Sequence, residues 1–179
     1  MRSTPWVWGL AAVLILPGPT AGGEETALVP LTATIETVFA LTCAPTLVNL
    51  RGGPRDRVSN SGAPVRCTVS TNWGSNGWKL TIHTAGPLIE AGNPSLMMPT
   101  AVLFHRSRCA HNCTPPNIGD AANVPFPQSP LAYYEAAAQE RQNVQNPTQI
   151  ETIYELHIPA GQAAGTYTTT VIHTLTANF

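Results

Sequence analysis

The sequence predicts an all-β protein, and three observations carry that prediction. Residues 166–179 are rich in Thr, Val and Ile, whose stiff side chains suit a pleated sheet, and no Gly or Pro interrupts them. Residues 28–43 alternate apolar and polar side chains with the period of two that is typical of a strand. Between these segments, short strand-like stretches are separated by turns rich in Pro and Gly. An antiparallel β-sandwich is the simplest architecture that buries one face of each such strand.

The first 23 residues have the features of a secretory signal peptide. Arg2 gives a positive start, residues 6–16 form an apolar stretch, and small residues follow a Pro-Gly-Pro break. An uncleaved membrane anchor is the alternative, but a spanning helix needs about 20 apolar residues. We therefore predict a signal peptide at residues 1–23, a single β-sandwich domain at residues 24–179, and a secreted protein of the extracellular cell surface.

The charge of the chain argues against nucleic acid as a partner. Only 11% of the residues are charged, and the formal net charge is −1. Binding of phosphates requires a basic patch, which so sparse a set of cations does not provide. We predict no nucleic-acid partner.

Four cysteines, Cys43, Cys67, Cys109 and Cys113, are an even number in a chain predicted to be exported. Disulfides are therefore expected, and four cysteines allow three connectivities. We favour Cys43 with Cys67 and Cys109 with Cys113, because each of these pairs is local in the sequence.

The elements between the two terminal strands follow from local patterns. Residues 65–71 read as a strand through Cys67, and residues 78–83 place Trp78, Leu80 and Ile82 on one apolar face, so we expect Trp78 in the core. Trp73, in the turn before it, is expected to be exposed. Thr100 to His105 reads as a short strand.

The second half of the chain contains the one predicted helix. Ser129 can cap it, Pro130 suits its first turn, and residues 131–141 are rich in Ala, Glu and Gln, so we predict a short surface helix inserted between strands. Residues 150–158 return to strand, with Tyr154, Leu156 and Ile158 on one face. The final strand, after the turn at residues 159–165, is expected to be interior or nearly so, since nothing in it breaks a ladder.

The C-terminal residues 158–179, with their Pro-Ala-Gly turn, Gly-Thr-Tyr and Thr/Val strand ending in an aromatic residue, resemble the spore-coat-U-like, archaic chaperone–usher pilin family. A Thr-rich strand running into Cys43 and a second strand carrying Cys67 match the same family. The resemblance implies an incomplete immunoglobulin-like sandwich that is completed by the N-terminal strand of a neighbouring subunit. The Phe-Gly that usually follows the first cysteine of that family is missing, and residues 109–130 have no counterpart in it.

The chain is also similar to the WxL domain of cell-surface proteins. The segments Trp78-Lys79-Leu80 and His173-Thr174-Leu175 correspond to the two Trp-x-Leu motifs, although His173 stands where tryptophan is expected. This second resemblance implies a cell-wall-binding domain, with cell-wall polymer as its partner.

Two groups of residues suggest site chemistry. His105, Cys109, His111 and Cys113 offer imidazole and sulfur ligands within nine residues, which would suit Zn or Cu. In an exported chain a Cys109–Cys113 disulfide is the favoured interpretation, so we predict no metal and no cofactor. His173 is interpreted as a partly buried histidine whose ring nitrogens are hydrogen-bonded.

No catalytic arrangement stands out in the sequence. There is no Gly-x-Ser-x-Gly elbow and no base placed beside a Ser or Thr, so we predict a protein that is not an enzyme. The favoured function is an exported structural or assembly protein of the cell surface. The alternatives are the WxL-like domain or a secreted metal- or carbohydrate-binding module that uses the Cys109–Cys113 loop or Trp73.

The N-terminal strand gives the assembly hypothesis its residues. Pro30 lies inside the alternating stretch, and proline is tolerated at a sheet edge far better than in a sheet centre. We predict that four alternating residues of this stretch pair beside the C-terminal strand: Val29, Leu31, Ala33 and Ile35. The partner strand would belong to another copy or another surface protein if the pilin-like interpretation holds, and to the same chain if it does not.

Overall fold

A computed structural model of the chain describes residues 30–72, 77–113, 123–136, 140 and 143–177. The chain divides into two compact units, Met1–Ile35 and Glu36–Phe179. In the first unit the described residues, 30–35, are exposed and belong to no strand, and the predicted signal peptide at residues 1–23 lies outside the described residues. Among the helices of the described part, none has the length and apolar character needed to cross a membrane.

The second unit is built almost entirely of strands, and it contains a short 3-10 turn at Thr100–Val102. Its strands, in chain order, are β1 Phe39–Ala44, β2 Arg57–Ser59, β3 Val65–Thr71, β4 Trp78–Thr84, β5 Leu88–Glu90, β6 Met97–Met98, β7 Leu103–His111, β8 Val124–Pro125, β9 Leu131–Glu135, β10 Thr148–His157, β11 Tyr167–Thr168 and β12 Val171–Ala177.

The strands form one large sheet and two small ones. The large sheet has the order β1-β3-β10-β7-β8, with β2 also paired to β10. The two small sheets have the orders β12-β4-β9 and β11-β5-β6. Every pairing between these strands is antiparallel.

Side chains of the large sheet pack against those of both small sheets. One buried cluster joins residues of all three sheets: Val65, Cys67, Leu103, Tyr154 and Leu156 from the large sheet, with Ile82, Leu88 and Met98 from the small ones. A second cluster joins Val69 and Ile150 of the large sheet to Trp78, Leu80 and Tyr134. The sheets therefore face each other across a shared core, and the prediction of an all-β antiparallel sandwich is confirmed.

The apolar face predicted for β4 is confirmed. Trp78, Leu80 and Ile82 are each 0% exposed. Successive side chains of a strand point to opposite faces, so a period of two in the sequence becomes one buried face. Tyr154 and Leu156 of β10 are buried for the same reason.

The helix predicted at residues 131–141 is wrong for the residues that the structure describes. Leu131–Glu135 is strand β9, which pairs with the central strand β4. The strand lets Tyr134 bury its ring, 1% exposed, at 5.3 Å from the ring of Trp78. Tertiary packing of this aromatic pair outweighs the modest helix propensity of the segment. Residues 137–139 and 141–142 lie outside the described part.

The two long terminal strands are shorter than predicted. The first begins at Phe39 instead of residue 28, because its partner β3 ends at Thr71, which lies opposite Phe39. The last is divided into β11 and β12, which belong to different small sheets. Its expected interior position is also wrong, since β4 is the only strand paired with β12 in the described chain.

Candidate strand-addition site

Two sheet edges lie on the same side of the sandwich. β1 ends the large sheet and β12 ends a small one, each with a single partner strand in the described part of the chain. The Sγ atoms of Cys43 and Cys67 lie within 4.8 Å of a ring nitrogen of His173, so β1 and β12 approach each other across the core. A strand edge presents main-chain N–H and C=O groups to which another strand can pair.

The inward face of β12 is only partly covered. Val171 and Leu175 pack against the core but are half-buried, whereas Leu80, directly opposite Leu175 on β4, is 0% exposed. Of these two neighbouring leucines, the one on β4 is therefore fully covered and the one on the edge strand β12 is partly open to solvent. On β1, the half-buried Leu41 and Cys43 continue this apolar strip. We call these four residues and His173 the open strip: Leu41, Cys43, Val171, His173 and Leu175.

His173 lies in the middle of the open strip between two tyrosines. The Tyr133 hydroxyl is 3.0 Å from its Nδ1 atom, and the Tyr154 hydroxyl is 2.8 Å from its Nε2 atom. Burial, with a smaller contribution from His105, lowers the pKa of His173 to about 4. The imidazole is therefore neutral near pH 7, with one ring nitrogen donating and the other accepting. This matches the interpretation of His173 as a partly buried, hydrogen-bonded histidine.

His105 lies deeper in the same core. It is 4% exposed, lies opposite Tyr154 in the ladder between β7 and β10, and its ring centroid is 4.7 Å from that of Phe126. Burial lowers its pKa to about 4, and neither ring nitrogen has a hydrogen-bond partner within the described residues. Burial also raises the pKa of Tyr133 and of Tyr154 well above the usual tyrosine value. This group of side chains is thus uncharged at neutral pH.

A disulfide fixes the position of β1 beside the open strip. Cys43 and Cys67 lie directly opposite each other in the antiparallel pair of β1 and β3, and their sulfur atoms are bonded. Cys109 and Cys113 form the second disulfide. Both bonds are the local pairings that the sequence favours, and they fit a protein of an oxidising, extracytoplasmic compartment.

The metal site considered for His105, Cys109, His111 and Cys113 is not assembled. The two cysteines are bonded to each other, His105 packs in the core, and the Nε2 atom of exposed His111 lies 2.7 Å from Oδ1 of Asn146. In the described residues the only group of three candidate ligands is instead Cys43, Cys67 and His173. Distance along β7 is the physical reason, because four residues of extended strand separate His105 from Cys109 by about 13 Å.

The residues predicted to pair as a strand precede the first sandwich strand, β1, in the sequence. Leu31 is 93% exposed and Ile35 is 85% exposed, and with Ala33 they belong to no strand. Val29 lies outside the described residues, as does Trp73, the candidate carbohydrate contact.

The sequence alone did not place three side chains beside His173: Tyr154, Tyr133 and His105. Tyr154 was recognisable as inward-facing from the alternation of its strand, but Tyr133 was hidden by the predicted helix. His105 was assigned to the wrong group of ligands. Its place two residues after Leu103 on the same face of the strand was the available signal for burial.

Comparison with known proteins finds no relative: no protein-family model matches the chain, and no curated protein matches its sequence.

Proposed function

We propose that the protein is an exported, non-catalytic subunit of a cell-surface assembly, and that copies join by strand addition. The observation that supports this most is β12, an edge strand whose inward face is left half-buried beside the edge strand β1. An added strand can pair with the main chain of β12 while its alternate side chains cover the open strip. The resemblance of the C-terminal segment and of the Cys43 and Cys67 region to archaic pilins supports the same proposal.

The donor strand in this proposal is residues 29–35 of another copy. This segment has seven residues, the length of β12, so the two strands match at about 3.3 Å per residue. Val29, Leu31, Ala33 and Ile35 alternate with Pro30, Thr32 and Thr34, so an extended strand presents four apolar side chains on one face. Exposure of Leu31 and Ile35 to water in the single chain favours their transfer to an apolar strip.

Two paired variants test this proposal. Leu31→Asp with Ile35→Asp places charges on the face that would cover the open strip. Thr32→Asp with Thr34→Asp makes the same change of charge on the opposite face. All four positions are exposed, so neither variant is expected to unfold the sandwich. We expect the first variant to remain monomeric by light scattering and the second to assemble as the unchanged protein does. Equal assembly of the two variants would refute the donor role of this face.

Deletion separates addition between copies from pairing within one chain. A protein lacking residues 24–34 should be a soluble monomer, and a synthetic peptide of residues 24–35 should bind it and restore the pairing. If the sandwich instead completes itself, the deletion should unfold it. A deletion variant that stays folded with an unchanged association state contradicts both forms of the proposal.

The export part of the proposal has its own test. The intact mass of the secreted protein should correspond to a chain that begins near Glu24. An alkylating agent should add no mass before reduction, since all four cysteines are bonded in pairs. A leader retained in the secreted form, or alkylation without reductant, contradicts this part.

A further inference from the structure

Three ligand-bearing side chains from three different strands converge at the open strip. Cys43 belongs to β1, Cys67 to β3 and His173 to β12, and their two sulfur atoms and one ring nitrogen all lie within 4.8 Å of one another. Thiolate and imidazole are the ligands that thiophilic cations such as Zn²⁺ prefer. The disulfide occupies both sulfurs in the oxidised protein.

We propose that reduction of the Cys43–Cys67 disulfide converts this cluster into a binding site for Zn²⁺ with two thiolates and one imidazole. A dithiol supplies the two electrons and two protons: the Cys43–Cys67 bond breaks, two thiols form, and the dithiol becomes a disulfide. Binding of Zn²⁺ then releases both thiol protons to solvent. The oxidised protein has no thiolate to offer and does not bind the ion at this site.

The size of the cluster suits a zinc ion. Zinc–sulfur bonds of about 2.3 Å and zinc–nitrogen bonds of about 2.0 Å place neighbouring ligand atoms of a tetrahedral site roughly 3.5 to 3.8 Å apart. The nitrogen–sulfur separations in the structure do not exceed 4.8 Å, so these atoms need to approach by about 1 Å, while the two sulfurs move apart once their bond is broken. Breaking the disulfide frees the two sulfurs to make that adjustment by rotation about their side-chain bonds.

The surroundings of His173 also suit a ligand. Each ring nitrogen faces a tyrosine hydroxyl, at 3.0 Å from Tyr133 and at 2.8 Å from Tyr154. When one nitrogen binds the ion, the other keeps its tyrosine and holds the ring in place, as second ligand shells do in zinc sites. Cys43 is half-buried at the open edge, which leaves a fourth position for water. The proposal does not depend on assembly of the protein.

The experiment uses the full chain and Co²⁺ as an optical probe for Zn²⁺. The protein is reduced with dithiothreitol, freed of reductant under argon and titrated with Co²⁺. We expect one Co²⁺ per chain, a thiolate-to-cobalt charge-transfer band, and loss of that band when Zn²⁺ is added. The oxidised protein should show no band. A reduced protein without the band, or an oxidised protein with it, overturns the proposal.

Matched variants assign the site. Cys43→Ser with Cys67→Ser retains two cysteines after reduction and should lose the band, whereas Cys109→Ser with Cys113→Ser should keep it. His173→Gln should weaken Co²⁺ binding at least tenfold and change the visible spectrum. Retention of the band in the first variant, or an unchanged affinity and spectrum for His173→Gln, refutes the assignment.

Circular dichroism follows the fold throughout. If reduction unfolds the chain, Zn²⁺ must restore the sheet signal, because metal binding then contributes folding free energy; failure to restore it also overturns the proposal.

Discussion

Asn72 and Val38 exchange two hydrogen bonds just beyond the end of the ladder between β1 and β3. The Val38 N–H donates to Oδ1 of Asn72 at 2.7 Å, and the Asn72 N–H donates to the Val38 carbonyl at 3.1 Å. The Nδ2 atom of Asn72 also donates to the Glu36 carbonyl at 2.7 Å. One side chain thus extends the ladder past Phe39 and holds the residues that precede the sandwich strands.

The first prediction concerns this contact. Asn72→Ala removes both side-chain bonds, each contributing about 1 kcal/mol, so the Val38 amide should exchange with deuterium roughly five to ten times faster. Asn72→Asp keeps the acceptor for Val38 and loses the donor to Glu36, so exchange at Val38 should change less. Hydrogen exchange read by NMR checks both variants. Unchanged exchange at Val38 in the alanine variant would show that the ladder holds this segment without Asn72.

The second prediction concerns the aromatic centre of the core. Trp78 is 0% exposed, its ring lies 5.3 Å from that of Tyr134, and its Nε1–H donates to the Glu140 carbonyl at 3.1 Å. Trp78→Ala should lower the free energy of unfolding by about 3 to 5 kcal/mol, because it leaves a large cavity. Leu131→Ala, at a 53% exposed position of the neighbouring strand, should change it by less than about 0.5 kcal/mol. Urea melts that give equal losses for both variants would contradict the buried role of Trp78.

The features that the sequence could predict are those that depend on residues close together in the chain. The buried face of β4 and the two local disulfides follow from alternation and from short spacing along the chain. The edge position of β12 depends on the order of strands in the sheets, which no local pattern contains. β9 was missed because its residues have helix propensity, and only the packing of Tyr134 on Trp78 selects the strand.

The open strip shows the same limit at the level of a site. His173 and the two cysteines are far apart in the sequence and come from strands of two sheets. The sequence singles out each of these residues separately, but their closeness in space depends on how the edges of the sheets align across the core. The group of His and Cys residues that is close in sequence is divided between the core, where His105 lies, and the exposed end of β7.

The third prediction concerns an ion-pair group on the outer face of the large sheet. Glu151 lies opposite both Arg66 and Arg108 in the ladders, with oxygen–nitrogen distances of 2.5 and 2.7 Å. Hydrogen bonds from Arg66 and Arg108 lower the pKa of the Glu151 carboxyl. Its stabilising effect is therefore present above the usual carboxyl pKa and is lost as the pH falls through the lowered value.

Single substitutions of Glu151 and Arg66 should lower the free energy of unfolding by different amounts. Glu151→Gln removes the charge that both arginines share and should cost about 1 to 3 kcal/mol. Arg66→Ala should cost less than about 1 kcal/mol, because the Arg66 side chain is 53% exposed and Arg108 still pairs with Glu151. Urea melts at pH 7 measure both, and added salt should reduce the difference. A larger loss for Arg66→Ala than for Glu151→Gln would contradict the central role of Glu151.

The last prediction is a loss of stability between pH 6.5 and pH 4 that originates in the core histidines. Burial lowers the pKa of His105 and of His173 from 6.5 to about 4. The unfolded chain therefore binds more protons than the folded chain in this window, so stability falls as the pH falls and levels off below about pH 4. Tyr154 and Tyr133, which share this part of the core, stay neutral there because even an ordinary tyrosine pKa of about 10 lies far above this window, and burial raises theirs further.

A variant without one of the two histidines isolates the effect. Each histidine contributes at most about 1.4 kcal/mol per pH unit, and at most about 3 to 4 kcal/mol over the whole window. His105→Leu keeps His173 and should therefore halve the pH slope of the free energy of unfolding measured in urea between pH 4.5 and 6. The pKa values of Glu151 and Glu155 are lowered, so those carboxyls act mainly at more acidic pH. Leu131→Ala, at a 53% exposed and uncharged position on β9, is the control and should leave the slope unchanged. An unaltered slope in His105→Leu would mean that His105 is protonated in the folded protein as readily as in the unfolded chain.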